Sequence, residues 1–433
     1  MGQTAVAHSL LLYVVAPALV SIAICKSGLI PATASPEDGS ISWPAFFATY
    51  GLLAGLAYLT AAVFSFIYSP LEFYGDEGRD SYLIGKARAG LSKEEAVAEM
   101  KRSRKIGDIP PVYPNGWFIV FRSAQVKKME TKYAHVLGLH LAVFRGESGQ
   151  VYIVDAYCPH LGANLAFGGK VKGESIECPF HGWRYQGEDG KCVHIAYADK
   201  VPDFVKVTTY RSLEINDLIL IWYHAEGEEP SWYPPEIEKI KTGELVYTGC
   251  WEAYLDCHIQ DIVENGGDSS HLDYVHGPQI HPKRFINVKW EAHPTKKYLS
   301  TTYSERVPFW SSKPDKIFHE QYGPGLSYVD DGGDHYFLTG SVPVGPFRQK
   351  SVFMVYCTPA SPFNLASRLF AKLIVYFTYV VIKGDVLVWA NKTYRPKPPL
   401  VKEDPFIAQH RRWFAQFYTE NSPRLRPADS LQW

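Results

Sequence analysis

The chain has 433 residues, and its 44 Lys and Arg against 45 Asp and Glu leave a net charge of −1. With no surplus of positive charge to neutralise phosphates, a nucleic-acid-binding function is excluded. A 46% hydrophobic and 14% aromatic content excludes a disordered chain, and seven Cys are too sparse for a disulfide-built fold.

Two apolar runs open the sequence. Leu10 to Ile24 holds 15 residues, and Ala45 to Tyr68 holds 24 with no charge. As a helix the second run measures about 36 Å, enough to cross a bilayer. It is expected to be a transmembrane helix, against the alternative of a buried core helix. The first run is read as a second, retained helix. Its alternative is a signal peptide: Ala32-Thr33-Ala34 resembles a cleavage site, but no Lys or Arg precedes Lys26 to form a charged n-region. Residues 1–69 thus read as a membrane anchor of one or two helices. Arg79, Lys86 and Arg88 follow the second span, while Lys26 stands alone in the short loop, which favours a cytosolic catalytic part.

Residues 70–115 read as a polar connector. Within it, Ser92 followed by Glu95 predicts a capped helix start. From Gly116 short β-branched and aromatic stretches alternate with Gly turns: Trp117–Phe121, Leu139–Phe144, Val151–Val154 and Leu218–Trp222. This predicts an all-β domain over 116–228. Pro230, Pro234 and Pro235 mark a boundary, and 229–433 reads as an α+β domain with strands such as Ser351–Tyr356 and helical patterns near 255–275 and 404–420. No GxGxxG or GxxxxGK[ST] loop is present, so no dinucleotide or nucleotide triphosphate is expected to bind.

Two short pairs stand out in the β domain. Cys158-Pro159-His160 and Cys178-Pro179-Phe180-His181 each offer one thiolate and one imidazole, with Gly162, Gly168, Gly169 and Gly182 around them. Two thiolates on one iron and two imidazoles on a second would make a two-iron electron relay. A structural zinc site fits poorly, because C-x-H is not the usual C-x2–4-C spacing. A Cys158–Cys178 disulfide would leave both His unexplained.

The segments Cys158-Pro-His160-Leu-Gly-Ala-Asn and Cys178-Pro-Phe-His181-Gly-Trp-Arg-Tyr resemble the Rieske [2Fe–2S] motif. The resemblance implies that Cys158 and Cys178 bind one iron and His160 and His181 the other. It also implies that Trp183 and Tyr185 pack on or hydrogen-bond to the cluster, the alternative being ordinary β-domain core. Respiratory Rieske proteins carry two further cysteines, which would fall at Ala163 and Phe180 here; their absence points to the oxygenase type. Cys192 reads as a buried or surface thiol without a partner.

The second constellation runs from Glu264 to His276, E-N-x-x-D-x-x-H-x-x-x-x-H. Two His and one carboxylate form the facial triad of non-haem iron oxygenases. On a regular helix His271 and His276 would stand about 140° apart. The helix must therefore be irregular or end before His276, and Gly277-Pro278 supports an ending. With the Rieske motif upstream, the pattern resembles Rieske non-haem iron oxygenases. By that resemblance His271 and His276 bind the catalytic iron, and Asp268 is the catalytic carboxylate that carries electrons from His181 of a neighbouring subunit. Asn265 and Glu264 fit the pattern with roles left open. His258 and His281 read as surface or structural.

The stretch from Gly384 to Lys392 resembles the family's D-x-x-x-W segment and makes Asp385 the expected third ligand, with Asp404 and Asp334 as alternatives. Just upstream, Leu373 to Ile382 is ten apolar residues, too short to span a membrane. It reads as core helix or as part of an apolar substrate channel. Asp404 to Tyr418, with Arg411-Arg412-Trp413-Phe414, resembles the C-terminal helix of steroid-acting members.

An N-terminal anchor suits a membrane-dissolved substrate, and the whole plan resembles the Neverland-type cholesterol 7-desaturases of animals. The resemblance implies a Rieske oxygenase that uses O2, a [2Fe–2S] cluster, mononuclear Fe(II) and electrons from NAD(P)H through a separate reductase. It further implies a homotrimer in the endoplasmic reticulum membrane. The alternatives are a membrane-anchored monooxygenase hydroxylating another sterol, lipid or pigment, and a non-catalytic Rieske electron carrier.

Overall fold

The computed structural model describes residues 43–76, 91–276, 285–306, 315–332, 335–358 and 365–425. The first apolar run, His281 and Asp334 lie outside these residues. The second apolar run forms helix α1 (Trp43–Tyr68), 26 residues long. Its Leu52, Leu56 and Phe64 are exposed, and the helix is long and apolar enough to cross a membrane.

Strand β1 (Leu71–Asp76) comes next, and helix α2 (Lys93–Ser103) follows further along. Ser92 caps α2 as its sequence predicts. The Glu95 N–H donates to Ser92 Oγ at 3.2 Å, and the Ser92 N–H donates to Glu95 Oε2 at 2.8 Å.

The all-β region comprises β2 (Gly116–Arg122), β3 (Thr131–Val136), β4 (Leu139–Arg145), β5 (Val151–Asp155), β6 (Lys170–Lys172), β7 (Ser175–Glu177), β8 (Arg184–Gln186), β9 (Cys192–His194), β10 (Thr209–Tyr210), β11 (Ser212–Ile215) and β12 (Leu218–Tyr223). They form three antiparallel sheets, ordered β10-β5-β4-β3, β11-β12-β2 and β6-β7-β8-β9. Strands β2 and β12 read as unbroken apolar runs because both faces are buried. Phe118, Val120, Ile219 and Ile221 enter one core with Val136 and Leu141. The alternate residues Trp117, Ile119, Leu218 and Leu220 enter a second core with Tyr328, Leu338 and Met354 of the following domain.

That domain contains α3 (Glu238–Lys241), β13 (Val246–Leu255), α4 (Ile259–Val263), α5 (His271–Tyr274), β14 (Phe285–Ala292), β15 (Leu299–Arg306), β16 (Asp315–Tyr322), β17 (Leu326–Asp330), β18 (His335–Gly345), β19 (Arg348–Cys357), α6 (Leu365–Asn391) and α7 (Ile407–Ala415). One eight-stranded sheet runs β1-β13-β19-β18-β17-β16-β15-β14, antiparallel except for the parallel β1–β13 pair. The architecture is the expected α+β with an antiparallel sheet.

Two features differ from the sequence reading. The segment read as a connector begins with an edge strand of the eight-stranded sheet, β1. The apolar stretch Leu373–Ile382 is only the middle of α6, a 27-residue helix. Val386 and Trp389 of α6 pack on Trp251, Ala253 and Leu255 of β13. At its C-terminal end Arg104 donates to Trp389 O at 2.6 Å and to Lys392 O at 3.3 Å, satisfying carbonyls that a helix end leaves open.

β1 is held by charge as well as by its ladder. Buried Arg122 donates to Glu72 Oε1 at 2.8 Å and to Glu72 Oε2 at 3.2 Å. Burial pushes the Glu72 carboxyl up, but hydrogen bonds from Arg122, Tyr74 and Tyr247 outweigh it and leave the carboxyl below its ordinary value. Its contribution is present at neutral pH and is lost as the pH falls through that lowered value. Glu72→Ala is expected to cost about 1–3 kcal/mol by stranding the guanidinium, read as a lower thermal midpoint. An unchanged midpoint would show that the ladder alone holds β1.

Candidate metal centres

The first centre is built on two matching turns. In one, the Gly162 N–H donates to Cys158 O at 2.8 Å and the Cys158 N–H to Ala163 O at 2.9 Å. In the other, the Gly182 N–H donates to Cys178 O at 3.1 Å and the Cys178 N–H to Trp183 O at 2.7 Å. Gly162 and Gly182 have φ of 74° and 69°, a left-handed conformation that glycine adopts at little cost. The turns bring both thiols into one buried core with Tyr185 and Cys192. The His160 and His181 rings stand with centroids 4.9 Å apart.

Two thiols and two imidazoles on facing turns suit a two-iron cluster. His181 Nδ1 fits such a ligand: it is buried and has no hydrogen-bond partner among the described residues. Burial pushes the Cys178 thiol up, so binding must draw its proton off onto solvent or a base. Trp183 stacks on His160 at 4.2 Å, and the Tyr185 hydroxyl lies 3.1 Å from Cys158 Sγ. Cys192 is buried, with Sγ 3.6 Å from His194 O.

The second centre gathers residues more than a hundred positions apart. Ligand atoms of His271, His276 and Asp385 all lie within 4.8 Å of one another, the only such group of three among the described residues. Helix α5 ends at Tyr274, and His276, two residues beyond that end, lies beside His271. Their ring centroids are 5.3 Å apart, and His276 Nε2 lies 3.1 Å from Asp385 Oδ2. His276 and Asp385 are buried. His271 Nδ1 donates to the carbonyl oxygen of Asp268 at 2.5 Å, which leaves Nε2 facing the group.

The neighbours have definite partners. Asn265 Nδ2 donates to Asp385 Oδ1 at 3.1 Å, fixing the carboxylate. Asp268 Oδ1 accepts from the N–H groups of Ser270 and His271 at 3.1 and 3.3 Å; within one chain the carboxylate caps α5 while its carbonyl orients His271. Glu264 pairs with Arg411 at 2.6 and 2.9 Å, tying the motif to α7. His258 is structural: Nε2 donates to Pro111 O and Nδ1 accepts from the Gln260 N–H, each at 3.2 Å. Asp404 stands apart from the triad in a turn, where it accepts from the Val401 N–H at 3.3 Å.

His271 and Asp385 open onto a cavity of about 500 Å³ between α6 and the sheet. Its walls are mainly apolar, with Trp251, Phe337, Phe353 and Phe377 among them. That size suits a drug-sized organic ligand. The sequence reading missed two elements here. Arg411 had no spacing that tied it to Glu264. His319, in the cavity wall and lowered by burial to about 4, is a lone His on a strand with no motif to flag it.

Residues 116–209 match the Rieske [2Fe-2S] domain family, and residues 221–418 match the 3-ketosteroid 9alpha-hydroxylase C-terminal domain family. The chain is 36% identical to cholesterol 7-desaturase nvd of Xenopus laevis, over 99% of each chain. It is 38% identical to cholesterol 7-desaturase nvd 1 of Ciona intestinalis, over 86% of this chain and 83% of that one. Among solved structures, dicamba monooxygenase bound to 3,6 dichlorosalicylic acid aligns at a TM-score of 0.55 and 17% identity, over 71% of this chain and 98% of that one, a likeness of fold.

Proposed function

The chain belongs to the cholesterol 7-desaturase family of Rieske non-haem iron oxidoreductases, and from that premise we propose that it removes hydrogen from C7 and C8 of cholesterol to give 7-dehydrocholesterol. The observation that carries this reading is the opening of His271 and Asp385 onto one large, mainly apolar cavity. Substrate, O2 and an external reductase are the reaction's partners.

In this reading Cys158, Cys178, His160 and His181 hold the cluster, and His271, His276 and Asp385 hold the mononuclear iron. When bound, the cluster supplies single electrons and the mononuclear iron supplies O2 activation. The protein's own share is positioning. Asn265 fixes one oxygen of Asp385, and the Asp268 carbonyl fixes the tautomer of His271. Asp268 supplies a carboxylate between His271 and the His181 of a second copy, within a homotrimer. Phe337, Phe353 and Phe377 line the cavity and keep water from the sterol.

The same reading has α1 cross the endoplasmic reticulum membrane, with the catalytic part cytosolic. Leu373, Tyr376 and Val388, exposed on the outer side of α6, support uptake of a membrane-dissolved substrate. The test is expression in microsomes with a reductase, NADPH and labelled cholesterol. A product two hydrogens lighter with ring-B diene absorbance is expected. A product one oxygen heavier would move the activity to hydroxylation, and no sterol product beside an intact cluster would overturn the substrate.

A further inference from the structure

The cavity wall carries an imidazole, His319, that is not one of the metal-site residues. His319 on β16 stands opposite Thr302 on β15 and Val329 on β17, and Val329 stands opposite Phe337 on β18. All four face the cavity. Thr302 already donates to Gly266 O at 2.8 Å, and the Val and Phe are apolar. His319 makes no hydrogen bond or ion pair among the described residues, and its side chain is half-buried at the cavity wall. Burial lowers it to about 4, so at neutral pH the imidazole is uncharged. It therefore presents one N–H donor and one acceptor nitrogen to the cavity. With no protein partner among the described residues, both nitrogens are available to pair with a molecule bound in the cavity.

The position matters as much as the chemistry. A Cβ built on Gly266 would lie 3.6 Å from His319 Cε1, and Asn265 beside it holds the Asp385 carboxylate. The imidazole is thus on the order of 10 Å from the metal ligands, about two Cα–Cα steps plus side-chain reach. A further imidazole, His335, meets the lining only through Asp331 and is remote. His335 pairs with Asp331 at 3.1 Å and lies by Phe370, which is about 22 Å along α6 from Asp385.

We propose that His319 is the positioning residue that binds the substrate's single alcohol and so sets which carbon faces the mononuclear iron. This rests on the sterol reading above. Cholesterol carries its hydroxyl on ring A and reacts on ring B. A hydrogen bond from His319 to that hydroxyl holds the fused rings so that C7, and not the side chain, lies at the metal. An uncharged imidazole suits an alcohol, because it can give or take the bond whichever way the hydroxyl turns.

The experiment compares full-length membrane-bound wild type, His319→Leu and His319→Gln on cholesterol and on cholest-5-ene, which lacks the alcohol. Cluster and iron contents are measured in each. Wild type is expected to favour cholesterol in kcat/KM. His319→Leu is expected to erase that preference by lowering kcat/KM for cholesterol on the order of tenfold to a hundredfold. Its rate on cholest-5-ene should be unchanged, and its cholesterol oxidation should scatter to carbons other than C7. His319→Gln, which keeps a donor and an acceptor, should recover part of the preference. Equal loss on both substrates would make His319 a packing residue and overturn the inference. So would a wild type with no preference, a result that stands even if the Leu variant loses iron. A wild type inert on both sterols would overturn the substrate reading itself, and the His319 role with it.

Discussion

Asp385→Ala is expected to lose the mononuclear iron while the cluster stays in place. The carboxylate is one of only three donors in its group, and its oxygens face His276 and Asn265. Removing it leaves two imidazoles, a poor site for iron without a carboxylate. The cluster turns belong to a different core and should keep their optical and electron-spin spectra. Activity should fall by more than about 100-fold, beyond the loss typical of an outer-shell change. Iron analysis, with two atoms per chain assigned to the cluster, checks this directly. Full retention of the additional iron would pass the third-ligand role to another carboxylate, Asp334 first.

Asp268→Ala is expected to leave both metal sites filled and to reduce turnover by about 100-fold. The reason lies in which atoms the substitution removes. His271 is oriented by the Asp268 carbonyl, which alanine retains. The carboxylate, which caps α5 through Oδ1, is lost. Asp268→Asn keeps a side-chain acceptor for the cap and lacks the charge, so it separates capping from electron transfer. If reductase-driven turnover is normal in both variants, Asp268 is a helix cap and nothing more.

The sequence was most readable where the chemistry is local. The paired Cys and His lie on two turns whose glycines adopt a left-handed backbone, so residue type and spacing announce the site. The five-residue step from His271 to His276 already required a broken helix, and α5 ends at Tyr274. Ser92 and Glu95 predict their own capping box because both partners lie within one turn. Where partners are distant in sequence, legibility fails. β1 is six residues whose pairing with β13 depends on a ladder formed far downstream. The length of α6 was hidden because Lys372, Lys383 and Asp385 interrupt its apolar pattern, and Lys372 and Asp385 are buried. His319 acquires meaning only through register, when the sheet sets it beside Thr302 and Val329 in the cavity wall.

The most direct measurement is the fate of hydrogen and oxygen in one turnover experiment. Cholesterol deuterated at C7 and C8 is incubated under ¹⁸O2 with the membrane-bound protein, reductase and NADPH, and the sterols are resolved by mass. The account predicts a ring-B diene that has lost one hydrogen isotope from each of C7 and C8 and carries no ¹⁸O. A sterol alcohol bearing ¹⁸O, with no diene formed, would contradict it.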